Sequence, residues 1–239
     1  MLAIRKRGII PALDVPTLDA AEFIVRHTTK TNGIVAYKVG KLLGLTYGLP
    51  KVIDRLSRLT RHLLIYDDQK SPNDIPAQAR EFVDICSAAN VDTLIGFPHS
   101  GPAVMEAFLD QCQKREIEPI IGLHMTHPKF LVSEGGWIAD DGPKRAFEIA
   151  IQMGVTNFVV PGTKPSYVAD YYKFLSSKVN PQELRLFAPG FVAQGGSITE
   201  CAQVAGECWC AIVGTAFTKN IGNWRAMRKT AEEMVSQIL

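Results

Sequence analysis

Eight short apolar runs recur along this chain, and a turn and a helix-period segment follow most of them. The runs are Gly8–Leu13, Gly33–Val39, His62–Tyr66, Val91–Ile95, Pro119–Leu123, Asn157–Val160, Leu184–Ala188 and Cys210–Val213. Each is too short for a buried helix and nearly unbroken in hydrophobicity, as a strand covered on both faces requires. Between them, apolar residues recur at three- and four-residue spacing over 75–88, 104–114, 146–153, 167–175 and 224–238. Pro76, Pro102, Pro143 and Pro165 fall where a helix would start, and the first turn tolerates proline. Eight strands alternating with helices in 239 residues predict an α/β fold, a (β/α)8 TIM barrel spanning residues 1–239 as a single domain. A doubly wound sheet is the rival. It is disfavoured because Ala12-Leu13-Asp14-Val15-Pro16 follows the first strand without a Gly-x-Gly-x-x-Gly fingerprint.

Composition narrows the partners. A net charge of +2 provides no basic field for nucleic acid or anionic lipid. No run approaches membrane-spanning length, and Met1–Arg7 lacks a signal peptide's apolar stretch, so a cytoplasmic protein is expected. The five cysteines are odd in number, and four lie in predicted helices or strands, which argues against a disulfide framework. Cys208-Trp209-Cys210 has no second pair at zinc-site spacing and reads as core.

Charge is concentrated in one place. Asp67, Asp68, Lys70 and Asp74 directly follow the third predicted strand, and Lys38 closes the second. Buried charges need partners, and the C-terminal strand ends of a barrel are where active sites sit. These residues are therefore the predicted catalytic centre.

The same residues carry a family resemblance. Leu13-Asp14-Val15, Lys38-Val39-Gly40, the Asp/Lys/Asp-Ile-Pro segment at 67–76, Met125-Thr126-His127-Pro128, Pro161-Gly162-Thr163, Pro189-Gly190-Phe191-Val192-Ala193-Gln194-Gly195-Gly196 and Ile212-Val213-Gly214 occur in order at barrel spacing. In this the chain resembles the orotidine 5'-monophosphate decarboxylase family, from its first strand to its last. The resemblance implies a metal-free, cofactor-free lyase that converts orotidine monophosphate to UMP and CO2. Lys70 would protonate the carbanion, with an adjacent acid near the departing carboxylate and Lys38 paired to that acid. Asp74 would complete the site of a partner subunit in a homodimer. Asp14 would bind ribose, and Thr126 would read the base. Pro189, Gly190, Gln194, Gly195, Gly214 and Thr215 would surround the phosphate.

Two departures stand out. Three residues separate Lys70 from Asp74 where the family has two, so the first acid is Asp67 or Asp68. Strand alternation puts Asp68 and Lys70 on one face, whereas the spacing of a divergent branch of the family assigns Asp67. Thr215 stands where the family carries a phosphate-gripping arginine; a hydroxyl offers no cationic fork. Lys219 or Lys164 would compensate, or phosphate binding would be weaker.

Rival readings are a magnesium-dependent keto-gulonate-phosphate decarboxylase or hexulose-phosphate synthase, a Schiff-base aldolase, and a catalytically weak nucleotide-binding barrel. Lys38 stands where the magnesium enzymes typically carry a glutamate. Three carboxylates near Lys70 oppose the lowered lysine pKa that a Schiff base requires. Asp14 as a cap for the helix near Thr17, and His124 and His127 as structural histidines, are the non-catalytic alternatives. The segment from Lys129 to Pro143 is expected as a loop near the site.

Overall fold

The computed structural model describes residues 4, 7–68 and 71–238. Its eight strands are β1 (Gly8–Pro11), β2 (Ala36–Gly40), β3 (Leu63–Asp67), β4 (Thr93–Gly96), β5 (Glu118–Ile121), β6 (Asn157–Val159), β7 (Arg185–Pro189) and β8 (Trp209–Val213). All pair in parallel, in the order β1-β8-β7-β6-β5-β4-β3-β2. Parallel bridges Ile9↔Ile34 and Ala12↔Lys38 join β1 to β2, and the Leu13 amide donates to the Lys38 carbonyl at 2.8 Å, closing the ring. This is the expected (β/α)8 TIM barrel.

The helices are α1 (Leu18–Thr28), α2 (Lys41–Tyr47), α3 (Leu49–Ser57), α4 (Pro76–Ala88), α5 (Pro102–Lys114), α6 (Gly142–Gln152), α7 (Pro165–Ser176), α8 (Ile198–Val204), α9 (Thr215–Thr218) and α10 (Trp224–Ile238). Three of the four prolines named above are the first residue of a helix, and Pro143 is the second residue of α6. There the missing N–H costs nothing.

Two apolar layers result from strand alternation. Ile10, Ala12, Ala36, Ile65, Ile95, Ile120, Val159, Phe187 and Ile212 point into the barrel. Their sequence neighbours Ile9, Leu13, Tyr37, Val39, Leu64 and Tyr66 point outward and pack beneath the helices. At the N-terminal end, buried Arg185 donates to the carbonyls of Ile4 (2.6 Å) and Glu183 (2.9 Å), and Ile4 is itself buried among the interior side chains. The opposite end, where the strands finish, is polar and open. No helix among the described residues is long and apolar enough to cross a membrane.

Phe187 is fully buried inside the ring, so truncation removes a large side chain from a close-packed layer. Phe187→Ala is expected to lower unfolding stability by about 3–5 kcal/mol, measured by urea titration.

Candidate active site

Alternation that points Ala36 and Ile65 inward also points Lys38 and Asp67 inward, one pleat nearer the open end. The β2–β3 register sets Lys38 beside Ile65 and Gly40 beside Asp67. The Lys38 ammonium donates to Asp14 at 3.0 Å and to Asp67 at 3.3 Å. Lys38 and Asp67 are 5% and 6% exposed, whereas Asp14 lies at the exposed rim. Burial opposes the lysine's charge, but the fields of Asp67 and then Asp14 outweigh it and hold its pKa above the ordinary 10.5. Gly40 makes room for this array: a Cβ there would lie 2.0 Å from Asp14 Oδ1. Asp14 does not cap α1; the Thr17 hydroxyl does, accepting from the Ala20 amide at 3.3 Å.

The array forms one wall of a cavity of about 650 Å³. Thr126, Pro189, Gly190, Gln194, Gly214 and Thr215 also line it, so seven predicted substrate-binding residues, Asp14 included, converge with Lys38 and Asp67. Gly190 is required by close packing: its φ is +109°, and an added Cβ would lie 2.7 Å from Thr163 Cγ2. Thr163 in turn donates to the Thr126 carbonyl at 2.9 Å, fixing the turn that presents Thr126.

Other predicted site residues are placed elsewhere. Asp68 points away from the cavity, accepting from the Tyr66 hydroxyl at 3.2 Å and the Ser71 hydroxyl at 2.6 Å. Of the two acids, Asp67 and not Asp68 faces Lys38. Gly195 is not among the cavity-lining residues; its amide donates to the Val192 carbonyl at 3.3 Å, tightening the turn. Asp74 is exposed on the loop before α4, where its carboxylate accepts from the Ile75 amide at 2.8 Å. Lys70 lies outside the described residues.

Several lining residues escaped the sequence reading. Thr218 follows Thr215 by three residues on α9, and that spacing on a helix is the signal that they share a face. Ile95, Phe97, Val159 and Ile212 are among the apolar lining residues. Of these, Ile95, Val159 and Ile212 lie in predicted strands and carry no signal that separates them from core.

Behind Thr126 lies a second polar cluster. His124 is buried, with Nδ1 2.7 Å from the Tyr171 hydroxyl and Nε2 2.9 Å from Lys164 Nζ. Burial and then the Lys164 charge push its pKa down to about 4, so the ring is neutral. Neutral Nε2 accepts from Lys164 while Nδ1–H faces Tyr171. Lys164 also contacts Glu134 directly. Burial works against that carboxylate, but Lys164 and the amides of Phe130 and Leu131 hold its pKa down at about 2. Glu134 ends a 3-10 turn (Val132–Glu134) in the predicted loop, so the cluster fastens this segment to β5 and β6. His124 also lines the cavity.

The chain is therefore a (β/α)8 barrel with paired buried charges and a cavity at the C-terminal ends of its strands, where barrel enzymes place their active sites. No family model matches the chain. Across 237 residues, and 98% of both chains, it is 27% identical to orotidine 5'-phosphate decarboxylase of Methanosarcina mazei. It is 33% identical over 86 residues to the Methanococcoides burtonii protein of that name, covering 36% of this chain and 37% of that one. The crystal structure of the Pyrococcus horikoshii OT3 decarboxylase superposes with a TM-score of 0.75 at 26% identity, covering 96% of this chain and 98% of that one. The Methanocaldococcus jannaschii enzyme, complexed with the inhibitor BMP, gives a TM-score of 0.82 at 24% identity, covering 98% and 99%. The chain is thus similar along its whole length to orotidine 5'-phosphate decarboxylases.

Removing the cation would strand Asp67 in a buried position. Lys38→Met is expected to cost about 3–5 kcal/mol of stability at neutral pH, measured by denaturant titration. His124 gives a separate acid signature. Its folded pKa is depressed from 6.5 to about 4. The unfolded chain therefore takes up a proton in that window before the folded one does, and stability falls as pH drops through it. His124→Gln should show a smaller fall in melting temperature than wild type between about pH 7 and pH 4, read by differential scanning calorimetry.

Proposed function

We propose that this chain is an orotidine 5'-monophosphate decarboxylase, a cytoplasmic carbon–carbon lyase that converts orotidine monophosphate to UMP and CO2. The observation that carries the reading is the Asp14–Lys38–Asp67 array facing a cavity that residues of the later family motifs, from Met125 to Gly214, also line. Full-length similarity to the Methanosarcina enzyme supports it.

Cleaving the ring–carboxylate bond leaves an electron pair on a carbon with no adjacent carbonyl to accept it. The demand is about 20 kcal/mol of barrier lowering. A fixed ammonium supplies positive charge where that pair develops, then gives the carbon its proton, and solvent returns the proton to the lysine. Lys70 is assigned this role. Asp67 would sit beside the departing carboxylate, held by Lys38, while the exposed carboxylate of Asp14 meets ribose hydroxyls. Thr126 would hydrogen-bond the pyrimidine edge. Gln194, Gly214 and Thr215 would face the phosphate, with Pro189 and Gly190 shaping the turn between base and phosphate.

Lys38 stands between the two acids that would otherwise form a cation-binding pair, neutralising their field. This favours chemistry driven by ammonium groups over enediolate stabilisation by magnesium. Asp74, exposed beside the 58%-exposed Ile75, is free to enter the site of a second copy, making the active species a homodimer.

Absorbance assays of orotidine monophosphate consumption test the reading. Turnover is expected to be unchanged by EDTA and to fall about a thousandfold or more in Lys70→Ala, with the melting temperature retained. Activity that disappears with the chelator, or a Lys70→Ala enzyme at full rate, would overturn it.

A further inference from the structure

The far end of the cavity, after β7 and β8, is where barrels commonly hold a phosphate. Here it is built from Ala193, Gln194, Gly214, Thr215 and Thr218. Among the described residues, Lys38 is the one lysine or arginine that lines the cavity, and it is committed to Asp14 and Asp67. The other nearby candidates are also accounted for. Lys164 is held by Glu134 and His124, and Lys219 is exposed and outside the lining. His124, with its pKa near 4, brings no charge. Thr218 donates its hydroxyl to the Thr215 carbonyl at 3.3 Å, which leaves the Thr215 hydroxyl and the Gln194 amide as side-chain donors.

We infer that Thr215 determines specificity at this end, where the 5' substituent of the sugar is recognised through neutral hydrogen-bond donors instead of a cation. The inference rests on the nucleotide reading above and names the tail the site accepts. Charge-assisted hydrogen bonds are roughly twice as strong as neutral ones, and a guanidinium fork adds two at once. Without them, a phosphate dianion gains little over an uncharged hydroxyl. Nucleoside and nucleotide then bind with similar affinity, and binding responds weakly to salt because no long-range charge pair is screened.

The test is calorimetric titration of UMP and of uridine at low and high salt, against wild type, Thr215→Arg and Thr215→Val. In wild type, UMP is expected to bind at most about tenfold tighter than uridine, with little change on adding salt. Thr215→Arg should tighten UMP about tenfold or more, leave uridine unchanged, and make the preference salt-sensitive. Thr215→Val should weaken UMP a few-fold and spare uridine, which keeps the test alive if the arginine variant fails to fold. A wild-type preference for UMP of about a thousandfold that collapses with salt, with Thr215→Arg adding nothing, would overturn the inference: a cation would already serve this end. Unchanged UMP binding in Thr215→Val would overturn it as well. Uridine binding with a strong UMP preference sinks this inference alone, whereas failure of both ligands to bind sinks the nucleotide reading with it.

Discussion

The ammonium of Lys38, shared between Asp14 and Asp67, is the interaction on which the open end of this barrel depends. Asp67 is almost fully buried, so its charge is untenable without a cation beside it, whereas Asp14 reaches the same cation from the exposed rim. The cation is buried too, and by itself would be driven toward neutrality. Lys38 and Asp67 are therefore each stable as charges because the other is present. Such pairing fixes geometry: side chains from β2, β3 and the turn after β1 are held at hydrogen-bond distance of one another's charges. Preorganisation of this kind is what an electrostatic catalyst needs, since it costs no rearrangement when charge develops.

The array's charge sum follows directly. Asp14 and Asp67 contribute −2 and Lys38 contributes +1, leaving −1. In the proposed reaction Lys70 adds +1 and Asp74 of a second copy adds −1, so the set stays at −1. A substrate carboxylate would gain no net attraction there, and losing CO2 would move negative charge onto a ring carbon beside the Lys70 ammonium. The differential gain lies at the carbanion, not in ground-state attraction, as effective transition-state binding requires.

Much of this was legible in the chain because the signals are local. Eight apolar runs and the helix-starting prolines are short-range patterns, and short-range patterns determine strand and helix identity. Lys38 and the 67–74 charges were legible because they close the second and third apolar runs, at the strand ends where a barrel places its site. Counting from Lys70 put Asp68 on the inner face. Alternation holds only while the strand lasts, and β3 ends at Asp67. Beyond it, Asp68 is captured by the Tyr66 and Ser71 hydroxyls, contacts no periodicity encodes. Gly195 adopts φ +85°, and in sequence a glycine serving such a turn looks the same as one opening space for an anion. The Glu134–Lys164–His124–Tyr171 cluster joins residues up to 47 positions apart and left no motif to follow.

That cluster bears on how the two ends of the cavity work together. Thr126 lies two residues beyond His124 and receives Thr163 on its carbonyl, while Lys164 follows Thr163 directly. The strand ends of β5 and β6 are thereby clamped by one neutral ring, one ammonium and one carboxylate, all at least partly buried. A lysine committed to this clamp is unavailable to a phosphate, and freeing it would loosen the turn that presents Thr126. The fold therefore trades a mobile cation for a rigid wall beside Thr126. Under the proposed function, the pyrimidine and ribose contacts would carry more of the binding energy than the tail, and the chemistry would depend on how firmly the walls of the cavity hold the ring against the array.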